Sequence, residues 1–129
     1  MFDQELIEEQ LGCDSTCVVI LQNDARLLKN SYSVKADKSN SNMILGELNK
    51  ENLKSNLDKL EENDIAYLVI EEIDELDSKQ QDKYINLIKN REFRGYNIPK
   101  NVIIAFTIKS KENLIKISSE LYHFCVVAF

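Results

Sequence analysis

The stretch Tyr67-Leu68-Val69-Ile70-Glu71-Glu72-Ile73-Asp74-Glu75-Leu76 decides how this chain is read. Its apolar residues run without alternation, which marks a strand buried on both faces rather than one with a wet side. Acidic residues begin where the strand ends. In an open parallel sheet, ligands bind beyond the carboxyl ends of the strands. A carboxylate there can hold Mg²⁺ directly or through water, and a second can orient an attacking water. The same acids suit a helix N-terminus, which favours negative charge. Glu71 and Glu72 therefore read as a metal- and water-handling pair, as solvated acids at a strand end, or as part of an interaction surface.

Two further apolar runs match the first, Cys17-Val18-Val19-Ile20-Leu21 and Val102-Ile103-Ile104-Ala105-Phe106, the latter inside a strand expected over 101–108. Residues 32–36 alternate weakly and suit an edge strand, and 124–129 suit a last strand. Helical spacing fills the gaps. Phe2, Leu6, Ile7 and Leu11 predict a helix over 2–11, and Leu48, Leu53, Leu57 and Leu60 predict one over 46–62. Residues 24–29 suit one or two helical turns, and the polar stretch 37–42 is a loop. Asp77-Ser78-Lys79-Gln80 has the form of a capping box. It opens a helix over 78–90 with Tyr84, Ile85, Leu87 and Ile88 inward, and Ser110 caps another reaching to Leu121. The alternation predicts a single α/β domain over 1–129. Its architecture is a three-layer sandwich around a five-stranded, mainly parallel sheet with right-handed crossovers, and 17–21, 65–70 and 102–106 form its centre.

Composition bounds the function. With 129 residues, 43% hydrophobic and 29% charged, the chain is neither disordered nor low-complexity. No apolar run is long enough to span a membrane. The N-terminal Met1-Phe2-Asp3-Gln4-Glu5 lacks a basic-then-apolar leader, so a cytoplasmic protein is expected. An odd number of cysteines, 3, fits a reducing compartment. Cys13, Cys17 and Cys125 read as small buried hydrophobes, since a zinc site requires four ligands. The net charge is −6, but residues 1–77 carry 7 basic and 18 acidic side chains, and 78–129 carry 9 and 4. A phosphate-binding protein is usually basic overall. Nucleic-acid binding through the basic C-terminal half is therefore the weaker reading. His123, the sole histidine, reads as structural.

Residues 67–108 resemble the core of AAA+ ATPases, in particular the MoxR-like and dynein-related branches. In those proteins an apolar strand ends in Asp-Glu, followed by Ile-Asp-x-Leu, a helix, an Arg-x-Phe-x-Gly-Tyr-x-Leu-Pro connector and a strand bearing a polar sensor. The matching stretches here are 68–76, 78–90, Arg91-Glu92-Phe93-Arg94-Gly95-Tyr96-Asn97-Ile98-Pro99, and 102–108. Met43-Ile44-Leu45-Gly46-Glu47-Leu48 is similar to the stretch before the family's second helix, and 118–124 to the segment that usually ends in Asp-Arg-Phe. The resemblance implies a truncated AAA+/P-loop NTPase-like core.

Departures from the pattern concentrate on the chemistry. The family's phosphate-binding loop, Gly-x-x-x-x-Gly-Lys-Ser/Thr, lets backbone N–H groups approach phosphate and its Lys meet the β/γ-phosphates. Here Leu21 is followed by Gln22-Asn23-Asp24-Ala25-Arg26-Leu27-Leu28-Lys29, with no glycine and an acid that repels phosphate. Lys29 is the available substitute for the missing Lys. Glu71 stands at the magnesium-binding Asp. The sensor falls near Ile108, and His123 takes the place of the Arg that acts as a finger in several branches. With the chain stopping at Phe129, no helical lid is expected. The resemblance thus implies a non-catalytic domain that binds protein, with an AAA+ ATPase subunit or a replication-type assembly as partner. The alternative is residual binding of ATP and magnesium through Glu71 and Glu72, completed by a partner. The interaction candidates are Arg91, Phe93, Arg94 and Tyr96 on the connector, together with Tyr122 and His123. The other reading of the connector is a β-turn with an aromatic beneath it.

Overall fold

The computed structural model describes residues 17–36, 65–93 and 96–128, and of Phe93 and Tyr96 the backbone alone. The helices expected over 2–11 and 46–62, the loop over 37–42, the 43–48 stretch, Cys13 and Arg94 lie outside the described residues.

Five strands form one sheet in the order β2 (Ser31–Lys35), β3 (Ala66–Glu71), β6 (Val102–Ile108), β1 (Cys17–Leu21) and β7 (Cys125–Val127). Every neighbouring pair is parallel. The three apolar runs are the central strands, as their lack of alternation predicts. Ala105 of β6 is level with Val18 on one side and Val69 on the other, and Phe106 is level with Val19 and Ile70. The pleat then sorts the side chains. Val19, Leu68, Ile70, Ile104 and Phe106 join one apolar cluster; Val18, Ile20, Tyr67, Val69, Ile103 and Ala105 join another.

The first cluster is covered by Tyr84, which joins α2 (Ser78–Asp82) to α3 (Ile85–Asn90), by Leu87 and Ile88 of α3, and by Leu121 of α4 (Ser119–Tyr122). Tyr84 meets Phe106 edge-on, with ring centroids 6.0 Å apart. Ala25 of α1 (Gln22–Ala25) and Leu28 pack in the second cluster. A two-residue pair, β4 (Glu92–Phe93) and β5 (Tyr96–Asn97), makes an antiparallel hairpin of the connector.

The strands shift little from expectation; the helices change more. The 78–90 helix begins as expected at a capping box, with Asp77 Oδ1 accepting from Gln80 N at 2.8 Å and Gln80 Oε1 accepting from Asp77 N at 3.0 Å. It is broken, however, between α2 and α3. There Tyr84 N donates to Gln81 O, a tighter three-residue closure, at 3.0 Å. The helix expected over 110–121 is instead a 3₁₀ segment (Lys111–Lys116) followed by α4. Ser110 makes no side-chain cap, and Ser118 takes that role for α4 by accepting from Leu121 N at 3.2 Å.

One buried amide accounts for the second interruption. Gln81 is fully buried, and its Nε2 donates to Leu76 O at 2.9 Å and Lys116 O at 2.8 Å, while its Oε1 accepts from Ser118 N at 2.6 Å. The Lys116 carbonyl and the Ser118 N–H are thereby committed to a side chain rather than to a continuing helix. Gln81→Ala leaves three backbone groups without this partner, the Leu76 carbonyl and Ser118 N–H in buried bonds and the Lys116 carbonyl in a part-buried one. We expect a loss of about 3 kcal/mol in urea unfolding, from roughly 1–3 kcal/mol for each unsatisfied group with partial relaxation. A loss under about 1 kcal/mol would show that the amide does not organise these helices.

Candidate functional site at the carboxyl ends of the strands

Chain direction in a parallel sheet collects the carboxyl ends of β1, β3 and β6 on one edge. Because β6 lies between β1 and β3, the residues that leave those strands become neighbours. Leu21 passes directly into α1, so Gln22 stands where a phosphate loop would begin. Its Nε2 donates to Glu71 Oε1 at 3.1 Å. Thr107 Oγ1 donates to Gln22 Oε1 and accepts from Glu72 N at 2.9 Å. Both ends of the Gln22 amide are used inside the protein, and Thr107 is fully buried.

Glu72 reverses the chain. Its φ of 64° and ψ of 40° place it in the left-handed region, a costly conformation for a residue with a Cβ. The following 3₁₀ turn (Ile73–Glu75) carries Asp74 back against the strand end. Asp74 is 7% exposed. Its Oδ2 accepts from Lys109 N at 3.0 Å and Asn113 Nδ2 at 2.7 Å, and its Oδ1 has no hydrogen-bond partner. Gln22, Asn23, Glu72, Asp74, Lys109 and Asn113 help line an open cleft of about 860 Å³. Among the described residues, no three acidic, histidine or cysteine side chains are grouped to hold a metal ion.

The side chains at these strand ends are bonded to one another. The turn after β1 is a helix with no glycine, and its first amide is bonded to the carboxylate expected to meet magnesium. Lys29 is exposed beyond α1 and does not line the cleft. Ile108, the position expected to hold the polar sensor, is fully buried in the apolar core. The polar group at this strand end is Thr107, one residue earlier.

The other candidates are dispersed. Glu71 and Glu72 are both half-buried at the strand end. Arg91 closes α3 in the left-handed region with a φ of 49°. Its Nη2 donates to Pro99 O at 2.8 Å and Val102 O at 2.5 Å, so it ties the connector to the start of β6. Burial holds its guanidinium pKa below the ordinary value. Tyr122 and His123 are exposed at the end of α4, with His123 edge-on to Phe124 at 5.5 Å. They are remote in sequence from Glu71, and neither lines the strand-end cleft.

Gln22, Thr107 and Asp74 were not singled out by sequence reasoning. Thr107 left a signal, as the one hydroxyl inside an otherwise apolar strand, and Gln22 as the first polar side chain after one. Asp74 is hidden among acids of equal charge. Compared with protein-family models and with curated proteins, the chain matches none. Among the described residues no helix is long and apolar enough to cross a membrane.

Two measurements test this arrangement. Thr107→Val keeps the shape but removes the acceptor of Glu72 N and the donor to Gln22. It should cost about 2 kcal/mol, with a coupling to Gln22→Ala of roughly 1 kcal/mol in a double-mutant cycle. Additive effects would show that the bond carries no energy. Glu72→Gly should stabilise by up to about 1 kcal/mol, because glycine enters the left-handed region without penalty. A loss in thermal unfolding would instead assign the Glu72 side chain a stabilising contact.

Proposed function

We propose that this chain is a non-catalytic AAA+-like domain, a degenerate P-loop NTPase fold acting in the cytoplasm by binding protein, with an AAA+ ATPase subunit as partner. The observation that carries the reading is the hydrogen-bonded triad in which the Gln22 amide links Glu71 to Thr107. In the family the sequence resembles, the loop after the first core strand, the acidic pair and the sensor strand serve one nucleotide. The sheet order supports the likeness, because β6 between β1 and β3 brings those three positions together. The residues at them argue against nucleotide chemistry, because they satisfy one another. A domain that keeps this scaffold without its reaction retains surfaces as its means of action.

The exposed apolar side chains support a binding role. Ile115 is 90% exposed and Tyr122 44%, and both line a shallow groove of about 390 Å³ with Leu114, Ile117 and Ser119. Tyrosine is among the residues that dominate binding energy when buried at an interface. Arg94 and Tyr96 are the second candidate pair, on sequence grounds.

Calorimetry with Mg-ATP should find no binding tighter than about 1 mM, roughly 4 kcal/mol. Micromolar affinity, or turnover lost in Glu72→Gln, would overturn the reading. Partner proteins captured from the native host and identified by mass spectrometry should include an AAA+ subunit. Ile115→Asp with Tyr122→Ala, or Arg94→Ala with Tyr96→Ala, should weaken that complex at least tenfold, about 1.4 kcal/mol, with folding unchanged. Full-strength binding by both folded double variants would place the contact elsewhere.

A further inference from the structure

Cys17 and Cys125 are directly opposed on the parallel neighbours β1 and β7. Both are free thiols, and their Sγ atoms lie 2.9 Å apart. Parallel neighbours are spaced about 4.8 Å apart, inside the roughly 4.4–6.8 Å Cα separation that a disulfide accepts. Backbone carbonyls hold both side chains in place: Cys125 Sγ donates to Leu121 O at 3.2 Å, and Cys17 Sγ lies 3.6 Å from Phe124 O. Access is unequal. Cys17 is fully buried in a central strand, while Cys125 is half-buried on a strand at the end of the sheet order. The hydrogen bond to Cys125 and burial both push the Cys17 thiol up from its ordinary value. The outer thiol is therefore the one an oxidant meets first.

We propose that Cys17 and Cys125 are a redox pair, forming a reversible disulfide that staples β7 to the centre of the sheet when the protein meets a peroxide. The inner thiol resolves what the outer one begins. Hydrogen peroxide converts Cys125 to a sulfenic acid and releases one water. Cys17 Sγ then attacks the sulfenic sulfur, the S–O bond breaks, and the hydroxide leaves with the Cys17 proton as a second water. Two thiols lose two electrons to one peroxide. A dithiol reductant returns both thiols by exchange. The position gives the bond a mechanical consequence. β7 is held to β1 by only a short ladder that includes Cys17 N donating to Phe124 O at 3.1 Å and Ala128 N donating to Val19 O at 2.9 Å. A covalent link at the register pair Cys17↔Cys125 prevents that ladder from opening alone.

The test treats the folded native chain with stoichiometric hydrogen peroxide, blocks remaining thiols with N-ethylmaleimide and maps peptides. Cleavage before Asp14 separates Cys13 from Cys17, so a linked peptide identifies its partners. A Cys17–Cys125 peptide lighter by about 2 Da is expected, lost on treatment with dithiothreitol. Amide exchange at Cys17 and Ala128 should slow about tenfold in the oxidised protein. Cys13→Ser should preserve the linkage and Cys125→Ser should abolish it; the native peptide map decides the matter if either variant fails to fold. The proposal is overturned if Cys13 supplies the partner. It is equally overturned if Cys125 proceeds to sulfinic acid while Cys17 stays free, or if both thiols survive unreacted.

Discussion

Every residue of β6, from Val102 to Ile108, lies out of water. That burial constrains the rest of the described structure. A strand enclosed on both faces and both edges needs a strand on each side and an apolar cover above and below. β1 and β3 supply the sides, Tyr84, Leu87 and Ile88 part of one cover, Ala25 and Leu28 part of the other. A strand so placed has no position at which a polar side chain reaches solvent. Thr107 is therefore a local problem that the protein must solve internally.

Its solution is the strand-end triad. The hydroxyl both donates and accepts, so it needs a carbonyl on one side and an N–H on the other. Gln22 provides the first and the left-handed Glu72 provides the second. The left-handed conformation of Glu72 then turns the chain into the 3₁₀ segment that carries Asp74. The edge that resembles a nucleotide site in sequence is tied together internally, with Gln22 Nε2 bonded to Glu71 Oε1.

The strands were legible because continuous apolar runs of β-branched residues have one common use, and the parallel sheet followed from their alternation with helical spacing. Helix ends were less legible. Periodicity reports which residues face inward, and Tyr84, Leu87 and Ile88 do. It does not report that a buried glutamine will claim the carbonyl of Lys116 and the N–H of Ser118. The site shows the same division. Glu71 could be placed at a strand end from its own neighbourhood. Its partner Gln22 could not, because their contact spans 49 positions and depends on which strand lies between theirs. Arg91 is an interaction candidate by type, and the fold adds that its guanidinium is bonded to the carbonyls of Pro99 and Val102.

The sheet order also governs when the protein can fold. β1 is the first described strand, yet its neighbours are β6 and β7, and Cys17 faces a residue 108 positions away. Closing such long loops costs entropy before any contact rewards it, so topologies of this kind fold slowly. During synthesis, Cys17-Val18-Val19-Ile20-Leu21 emerges from the ribosome early and stays unpaired until 102–108 follow it out. A fully apolar strand with open edges is a template for association throughout that interval. The acidic excess of residues 1–77 surrounds that strand with like charge while it waits, and like charges on separate nascent chains repel.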